Sequence, residues 1–374
     1  MPLISKSNCS LHIKQLNDFL KPYHCKINFL KNNPIEGNDH QIRFLFFNLF
    51  WGLNQDEIII NSPKLDTITN FILELIPTIN YTSLAKIKLN FYIFQIASKH
   101  GFFIDPKVDF TIPDSPFISY NEFYEKIDTL NFLEHCPDLE TKQTECRYLY
   151  FQFCRQNILT LEVCQHFEIK INYTTPPTIH YFITQFQKKF QLSLKEHELK
   201  CLKYNLSIFF QEANLFNGPA ETFDLEKLVN IFNNTRRNTS YSIEKFLEDI
   251  CNENREIKTL IQKFPSLSLY CTMLLRVIKA KHQEPLKLLV QSGISTLHRE
   301  TLISQIKNST SFPIIVYNFN QLNGEKPDGI ISNWLPDRKY KDIPFFSASS
   351  FFTDWNKGEL SQFLSQLATK KFSI

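Results

Sequence analysis

The chain has 374 residues, 41 lysines and arginines against 38 acidic residues, and only 8 glycines. That length supports roughly two to four domains with real cores, while a net charge of +3 excludes a surface that coats nucleic acid indiscriminately, so any affinity for it must come from a local basic patch. The scarcity of glycine, with no GxGxxG, P-loop, HExxH, GxSxG or zinc-ligand spacing anywhere, points to a non-enzymatic protein that uses neither a metal nor a cofactor.

The nine cysteines stand singly, with no CxxC pair, as reduced small hydrophobes do in a cytoplasmic protein. The N-terminus lacks the apolar stretch of a signal peptide, and no apolar run approaches the roughly 20 residues needed to span a bilayer. Phenylalanine is abundant at 36, which predicts aromatic-rich helical packing.

In chain order, Ser5 or Ser7 caps a helix running to about Leu20, which Pro22 ends. Leu11, Ile13, Leu16 and Leu20 give it an apolar stripe. His24 to Phe29 alternates as a strand, Asn32-Asn33-Pro34 turns, and Ile35-Glu36-Gly37 begins a returning strand. The stretch Ser5–Gly37 therefore reads as a recognition helix followed by a two-stranded wing. The helices that should precede a recognition helix are absent, since only four residues lie upstream.

From His40 the period becomes helical, with Ile42, Leu45, Phe46, Leu49 and Phe50 as a deeply packed face. Helices follow over Thr67–Ile79, Ser83–His100 with Gly101 as its cap residue, Asn121–His135 and Leu139–Leu159, with a Pro- and Asp-rich loop at 105–116. The segment from about Phe167 to His282 repeats that shape: helices at Thr178–Phe190, Leu194–Ala213, Phe223–Phe232, Ile243–Asn252 and Leu267–His282. Two blocks of about five helices each indicate a duplicated all-α module. After Pro285 strands alternate with helices: Leu286–Val290, Thr296–Lys307, Pro313–Phe319, Gly329–Ser332, Ile343–Phe346 and Gly358–Ala368. That pattern predicts a small α/β domain with a parallel sheet.

The expected fold is mainly α: a winged-helix remnant at 1–39, helical modules at 40–165 and 166–283, and a small α/β domain at 284–374. This order of parts resembles the Mga/AtxA family of bacterial transcriptional regulators. The stretch from SNCSLHIKQLNDFL through the IEG of the wing to QIRFLFFNLFW stands in the family's order, and IIVYNF, PDGIISNW and IPFFSAS resemble its C-terminal end. The resemblance covers nearly the whole chain, on motifs that carry no invariant chemical signature. It departs at the front, where the first helix-turn-helix and the opening helices of the second are missing. It implies that the two helical blocks are PTS-regulation (PRD) domains and that the C-terminal domain is similar to the EIIB component of sugar phosphotransferase systems.

On this reading Lys6, Ser7, Asn8 and Ser10 face base edges in the major groove, with His12 and Lys14 nearer the backbone. Lys21, Lys26 and Lys31 reach phosphates from the helix end and the wing. The bland alternative is an amphipathic helix with ordinary solvated polar residues. For the helical modules the resemblance implies phosphorylation on histidine by the phosphocarrier HPr or by enzyme I. His100 and His282, each at a helix end beside lysine, are the first candidates; His135, His166, His180 and His197 are weaker ones. The alternative for each is a histidine that satisfies terminal carbonyls.

In transporting EIIB domains a cysteine after the first strand takes the phosphate. The corresponding turn here, Val290 to Thr296, has none, so that route is closed. The turn either binds an anion through its amides or is purely structural. The resemblance also implies a homodimer formed through the EIIB-like domain, for which Trp334, Phe351, Phe352 and Trp355 suit an interface or else close the local core. The rival reading is a truncated interaction protein without DNA binding, which dimerises with full-length regulators.

Overall fold

A computed structural model describes residues 6–29, 34–53, 62–166, 175–220, 239–282, 284–308, 313–318, 325–335, 340–348 and 354–372. The described residues are mostly helical, with a two-stranded antiparallel ribbon near the N-terminus and a four-stranded parallel sheet near the C-terminus. They fall into two compact units. The first comprises residues 1–237 and 243–274, the second residues 238–242 and 275–374.

The first unit opens with α1 (Lys6–Leu20), a 3₁₀ turn at Lys21–Tyr23, and strands β1 (Lys26–Ile27) and β2 (Ile35–Glu36). Pro22 does not stop the chain from turning; it sits inside the 3₁₀ turn, where a first-turn proline loses nothing. His24 then reverses the chain in a left-handed conformation (φ 53°). The strands pair Lys26 with Glu36 and Ile27 with Ile35. They are shorter than their alternating sequence suggested.

Helices α2 (Asp39–Leu53), α3 (Pro63–Leu75), α4 (Tyr81–Lys99), α5 (Tyr120–Thr129), α6 (Leu139–Gln156) and α7 (Leu161–His166) follow. Helix α3 starts four residues earlier than its periodicity implied, because Ser62-Pro63 supplies a cap position and a proline at the first helical residue. It also ends earlier, since the residue before Pro77 is disfavoured in the α region. Gly101 ends α4 as expected, with φ +72°. Ser119 and Glu122 form a capping box that opens α5.

Next come α8 (Pro177–Phe190), α9 (Glu196–Leu215), α10 (Thr239–Glu253), α11 (Arg255–Lys263) and α12 (Ser266–His282). Helix α11, of 9 residues, is not among the elements the sequence predicts; its N-terminus is capped by the Asn254 side chain, which accepts from Ile257 N–H at 3.1 Å. The helix expected at Phe223–Phe232 lies outside the described residues.

Helices from early and late in the first unit share one core. Phe44 of α2 stacks on Phe216 with ring centroids 4.4 Å apart, and Tyr23 and Phe264 lean on Phe44 at 6.2 and 6.1 Å. Phe151 of α6 approaches Phe216 at 6.1 Å. Such aromatic pairs contribute about 0.5–1.5 kcal/mol each beyond the area they bury. The buried side of α2 is not the one its apolar pattern announced. Of the expected face only Leu45 is fully buried; Phe50 is exposed, and Ile42, Phe46 and Leu49 are half-buried. His40, Gln41, Arg43, Phe44, Phe47, Asn48 and Trp51 go inside instead.

The polar members of that buried face are paired. Arg43 lies in a bidentate ion pair with Glu145 of α6, at 2.5 and 2.9 Å, and also donates to Phe102 O at 2.9 Å. Arg155 of α6 pairs with Glu212 of α9, and its guanidinium lies 5.6 and 5.4 Å over the rings of Phe44 and Phe47. His40 is buried against Phe110 and Phe216. Burial pushes its imidazole down from 6.5 to about 4. Its contribution is therefore fully present above pH 6.5 and is lost as the pH falls toward 4, because only the unfolded chain takes up the proton in that window. We expect about 2 kcal/mol of stability to vanish between pH 7 and pH 5 on this account. Denaturant unfolding of the wild type and of His40→Phe at both pH values checks it: the substitution should flatten that part of the pH dependence.

The second unit holds the end of α12, then β3 (Leu286–Gln291), α13 (Thr296–Asn308), β4 (Ile314–Tyr317), β5 (Gly329–Ser332), β6 (Phe345–Ser347) and α14 (Asp354–Phe372). Strand order is β4-β3-β5-β6, all parallel. Leu286, Leu288, Val290 and Ile331 pack with Leu302 and Ile306 of α13 and Leu360 and Leu364 of α14. Leu289 and Ile330 point the other way, against Tyr317, Tyr340, Ile343 and Phe345. Apolar residues on both faces are what a parallel sheet requires. Asp328 ties the start of β3 to the end of α14: its carboxylate accepts from Lys287 N–H at 2.7 Å and from Lys371 Nζ at 2.6 Å.

Among the described residues no helix is long and apolar enough to cross a membrane. The nine cysteines are free thiols, most of them buried.

Candidate nucleic-acid interface and regulatory histidines

Helix α1 is fixed to the hairpin that follows it by one side chain. Asn17 Oδ1 accepts from Ile27 N–H at 2.6 Å and Asn17 Nδ2 donates to Ile27 O at 3.2 Å, so its amide behaves as a short extra strand beside β1. Across the ribbon Lys26 and Glu36 pair at 3.1 Å, and Asn28 donates to Glu36 at 3.0 Å. Helix and hairpin are thus tied together, as a helix presented to a DNA groove needs.

Ser10 and Lys14 are exposed and one turn apart on α1, so they share a face. His12 is exposed on a different face, where its ring meets Gln15 at 3.3 Å. His12 and Lys14, both expected nearer the DNA backbone, thus stand on different faces of α1. The side chains of Lys6, Ser7 and Asn8, and Lys31 in the hairpin loop, lie outside the described residues. Between the end of α1 and the hairpin, an open concavity of about 470 Å³ contains Lys21, His24 and Lys26, but also Asp18 and Glu36. Its lysines and acids balance, so it is no concentrated anion site.

The expected apolar stripe of α1 is only partly used. Leu20 is buried and Ile13 half-buried, whereas Leu11 is 53% and Leu16 46% exposed, with Phe19 exposed beside them.

What sequence reasoning missed is how this piece is seated. Tyr23 is buried, and its hydroxyl donates to Pro219 O at 3.0 Å. Gln41 accepts from Asn217 N–H at 2.9 Å and donates to Asn217 O at 3.0 Å. Gly218 lies against the face of Tyr23, in a left-handed conformation with φ +86°, and a Cβ there would come within 3.0 Å of the ring. The segment following α9 therefore clasps the hairpin end of the helix-and-wing piece. The Gly218-Pro219 dipeptide was legible as a break; that the break is a seat was not, because its partners are nearly 200 positions away.

His100 is exposed at the end of α4. Its N–H and those of Gly101 and Phe102 satisfy the last carbonyls of the helix, from Ile96, Ala97 and Ser98. Its side chain lies at the edge of a groove between α2 and α4 that also contains Asp39. His282 is half-buried at the end of α12, with Lys279 half-buried and Lys281 exposed in the same turn. Of the weaker candidates, His135 lies 3.7 Å from Glu134, His197 meets Gln165 at 3.2 Å between α9 and α7, and His180 is exposed. The side chain of His166 lies outside the described residues.

In the second unit the turn after β3 satisfies itself. Ser292 Oγ accepts from Ile294 N–H and Ser295 N–H at 3.1 and 3.4 Å, and Ser295 Oγ accepts from His298 N–H at 3.1 Å. Gly293 N–H donates to Asn333 at 2.8 Å. Amides so occupied favour the structural role of this turn over anion capture. Trp334 and Leu335, just beyond β5, are 69% and 82% exposed, and Ile294 on the turn after β3 and Leu297 in the first turn of α13 are exposed too. Phe351, Phe352 and the Trp355 side chain lie outside the described residues.

Residues 2–50 match the family model of the Mga helix-turn-helix domain. That span takes in α1, the β1–β2 ribbon and all but the end of α2. No curated protein matches the chain.

Proposed function

We propose that this chain is a cytoplasmic, non-enzymatic transcriptional regulator of the Mga/AtxA type. It binds DNA through α1 and the β1–β2 ribbon and self-associates through its EIIB-like second unit. HPr or enzyme I controls it by phosphorylating His100 and His282 in its PRD-like helical blocks. The observation that carries this reading is the match of residues 2–50 to a helix-turn-helix domain, laid over a helix and a hairpin that one asparagine locks together. The solvent-exposed Ile294, Leu297, Trp334 and Leu335 support association through the second unit, since an apolar patch of this kind marks contact surfaces.

The two histidines offer a phosphate different surroundings. A phosphoryl group adds about −2 charge, which the C-terminal end of a helix disfavours. At His282 Lys279 and Lys281 in the same turn offset that; at His100 Lys99 offsets it, while the half-buried Asp39 on the same groove adds to it. Full switching requires a bias of about 5.5 kcal/mol, which a dianion supplies only where packing desolvates it. His282 is the stronger of the two sites on this ground.

A second reading is an interaction protein that does not bind DNA and pairs with full-length regulators; the exposed Leu11, Leu16 and Phe19 on α1 favour it. DNA binding by the full chain across a salt series separates the two. A regulator should lose affinity with a slope of about −0.9 in log–log form per phosphate contacted. Lys14→Ala should reduce that slope by about one contact, and His282→Asp should change the apparent affinity through self-association. Absence of binding even at low salt leaves the interaction protein.

A further inference from the structure

The groove between α2 and α4, which His100 also lines, is mostly apolar, and neither DNA binding nor phosphorylation of His100 requires that. It encloses about 280 Å³, at the small end of ligand-binding cavities. Phe46 and Phe50 of α2, Ile93 and Ile96 of α4, and Phe102 give it an apolar interior. Phe50, Ile96 and Phe102 are exposed there, although each is large and lies beside the others. Into this apolar setting projects one acid, Asp39, half-buried at the start of α2.

Asp39 forms no salt bridge among the described residues. The cation beside it, Arg43, is already committed to Glu145 through both terminal nitrogens. That pair cancels in charge, which leaves Asp39 as the one unpaired acid of the groove, with the imidazole of His100 on the same lining. The amino end of α2 favours its carboxylate form by a partial charge only. Burial, the largest influence, still raises its carboxyl above the ordinary value, with Glu145 adding to the effect and Arg43 opposing it. A carboxylate kept half out of water without a counter-ion is complementary to a cation that brings its own apolar surface.

We propose that this groove binds a small hydrophobic amine, of about the size of an indolyl- or phenyl-alkylamine. Its ring seats between α2 and α4, and its ammonium pairs with Asp39. Ile35 of β2 also lines the groove. The occupant would thus touch the hairpin as well as both helices, and binding would stiffen the seat of the helix-and-wing piece.

The test uses three probes with one ring and different charge: tryptamine, indole and indole-3-acetate, titrated calorimetrically into the full chain. Tryptamine should bind at least tenfold more tightly than indole, and indole-3-acetate more weakly than indole. Asp39→Asn should abolish the preference while leaving indole binding intact. Ala97→Phe should fill the groove and block all three. If that variant does not fold, Ile96→Lys, at an exposed position, places a like charge in the groove and should weaken tryptamine tenfold or more. Equal affinity for the three probes, absence of binding, or a preference for tryptamine that survives both Asp39→Asn and Ile96→Lys would overturn the proposal. So would binding that disappears as protein concentration rises in step with self-association, since the groove would then be covered by a second copy.

Discussion

Replacing Glu145 by alanine should destabilise the protein by about 3–5 kcal/mol. The side chains of Glu145 and Arg43 are essentially inaccessible to water. Burial alone opposes the arginine's charge, and the adjacent carboxylate more than restores it. Removing the carboxylate strands a buried guanidinium and deprives Ile104 N–H of its acceptor, at 2.8 Å in the native protein. Chemical denaturation of Glu145→Ala measures the loss. The double substitution Arg43→Met with Glu145→Met removes both charges and keeps apolar volume, so it should recover most of the stability. A double variant as unstable as the single one would mean that hydrogen bonds to Phe102 and Ile104, and not the stranded charge, dominate.

Gly218→Val should cost about 3 kcal/mol and, beyond that, loosen the helix-and-wing piece. Two effects combine. A left-handed backbone is unfavourable for any residue with a Cβ by roughly 1–2 kcal/mol, and crowding a packed site costs about 1–3 kcal/mol more. The new side chain meets the ring of Tyr23, whose displacement also breaks the bond to Pro219. Hydrogen exchange reads the local consequence: amides in α1 and β1 should lose protection by more than the global change accounts for. Tyr23→Phe isolates the hydroxyl and should cost only about 1 kcal/mol. Uniform loss of protection throughout the first unit would show that the segment 217–219 stabilises the whole without holding α1 in particular.

Much of the secondary structure was legible because it depends on neighbours in the chain. Capping residues, prolines and the switch from helical to strand period located most elements within a few residues. The misses have local causes as well. Periodicity alone carries α3 through Pro77, though the proline ends it sooner, and α11 gives little signal because Asn254 and Pro265 bound a short segment of few apolar residues. Helical spacing already puts Ser10 and Lys14 on one side of α1 and His12 on another; the docking of α1 on β1 through Asn17 leaves all three in solvent.

The sequence by itself determined that a helix with a hairpin comes first, that a long run of helices follows, and that a segment with a parallel sheet closes the chain. It also excluded a cysteine at the turn after β3. Tertiary structure decided which face of α2 is buried. Hydropathy favours Ile42, Phe46 and Phe50, but a buried arginine and glutamine are tolerable once Glu145 and Asn217 complete their hydrogen bonds, and those partners lie about 100 and 176 positions away. Turning α2 that way leaves its more apolar side lining an open groove, and it brings the segment after α9 against Tyr23. Pairing over such separations is fixed by the energetics of the folded core and leaves no periodic trace along the chain.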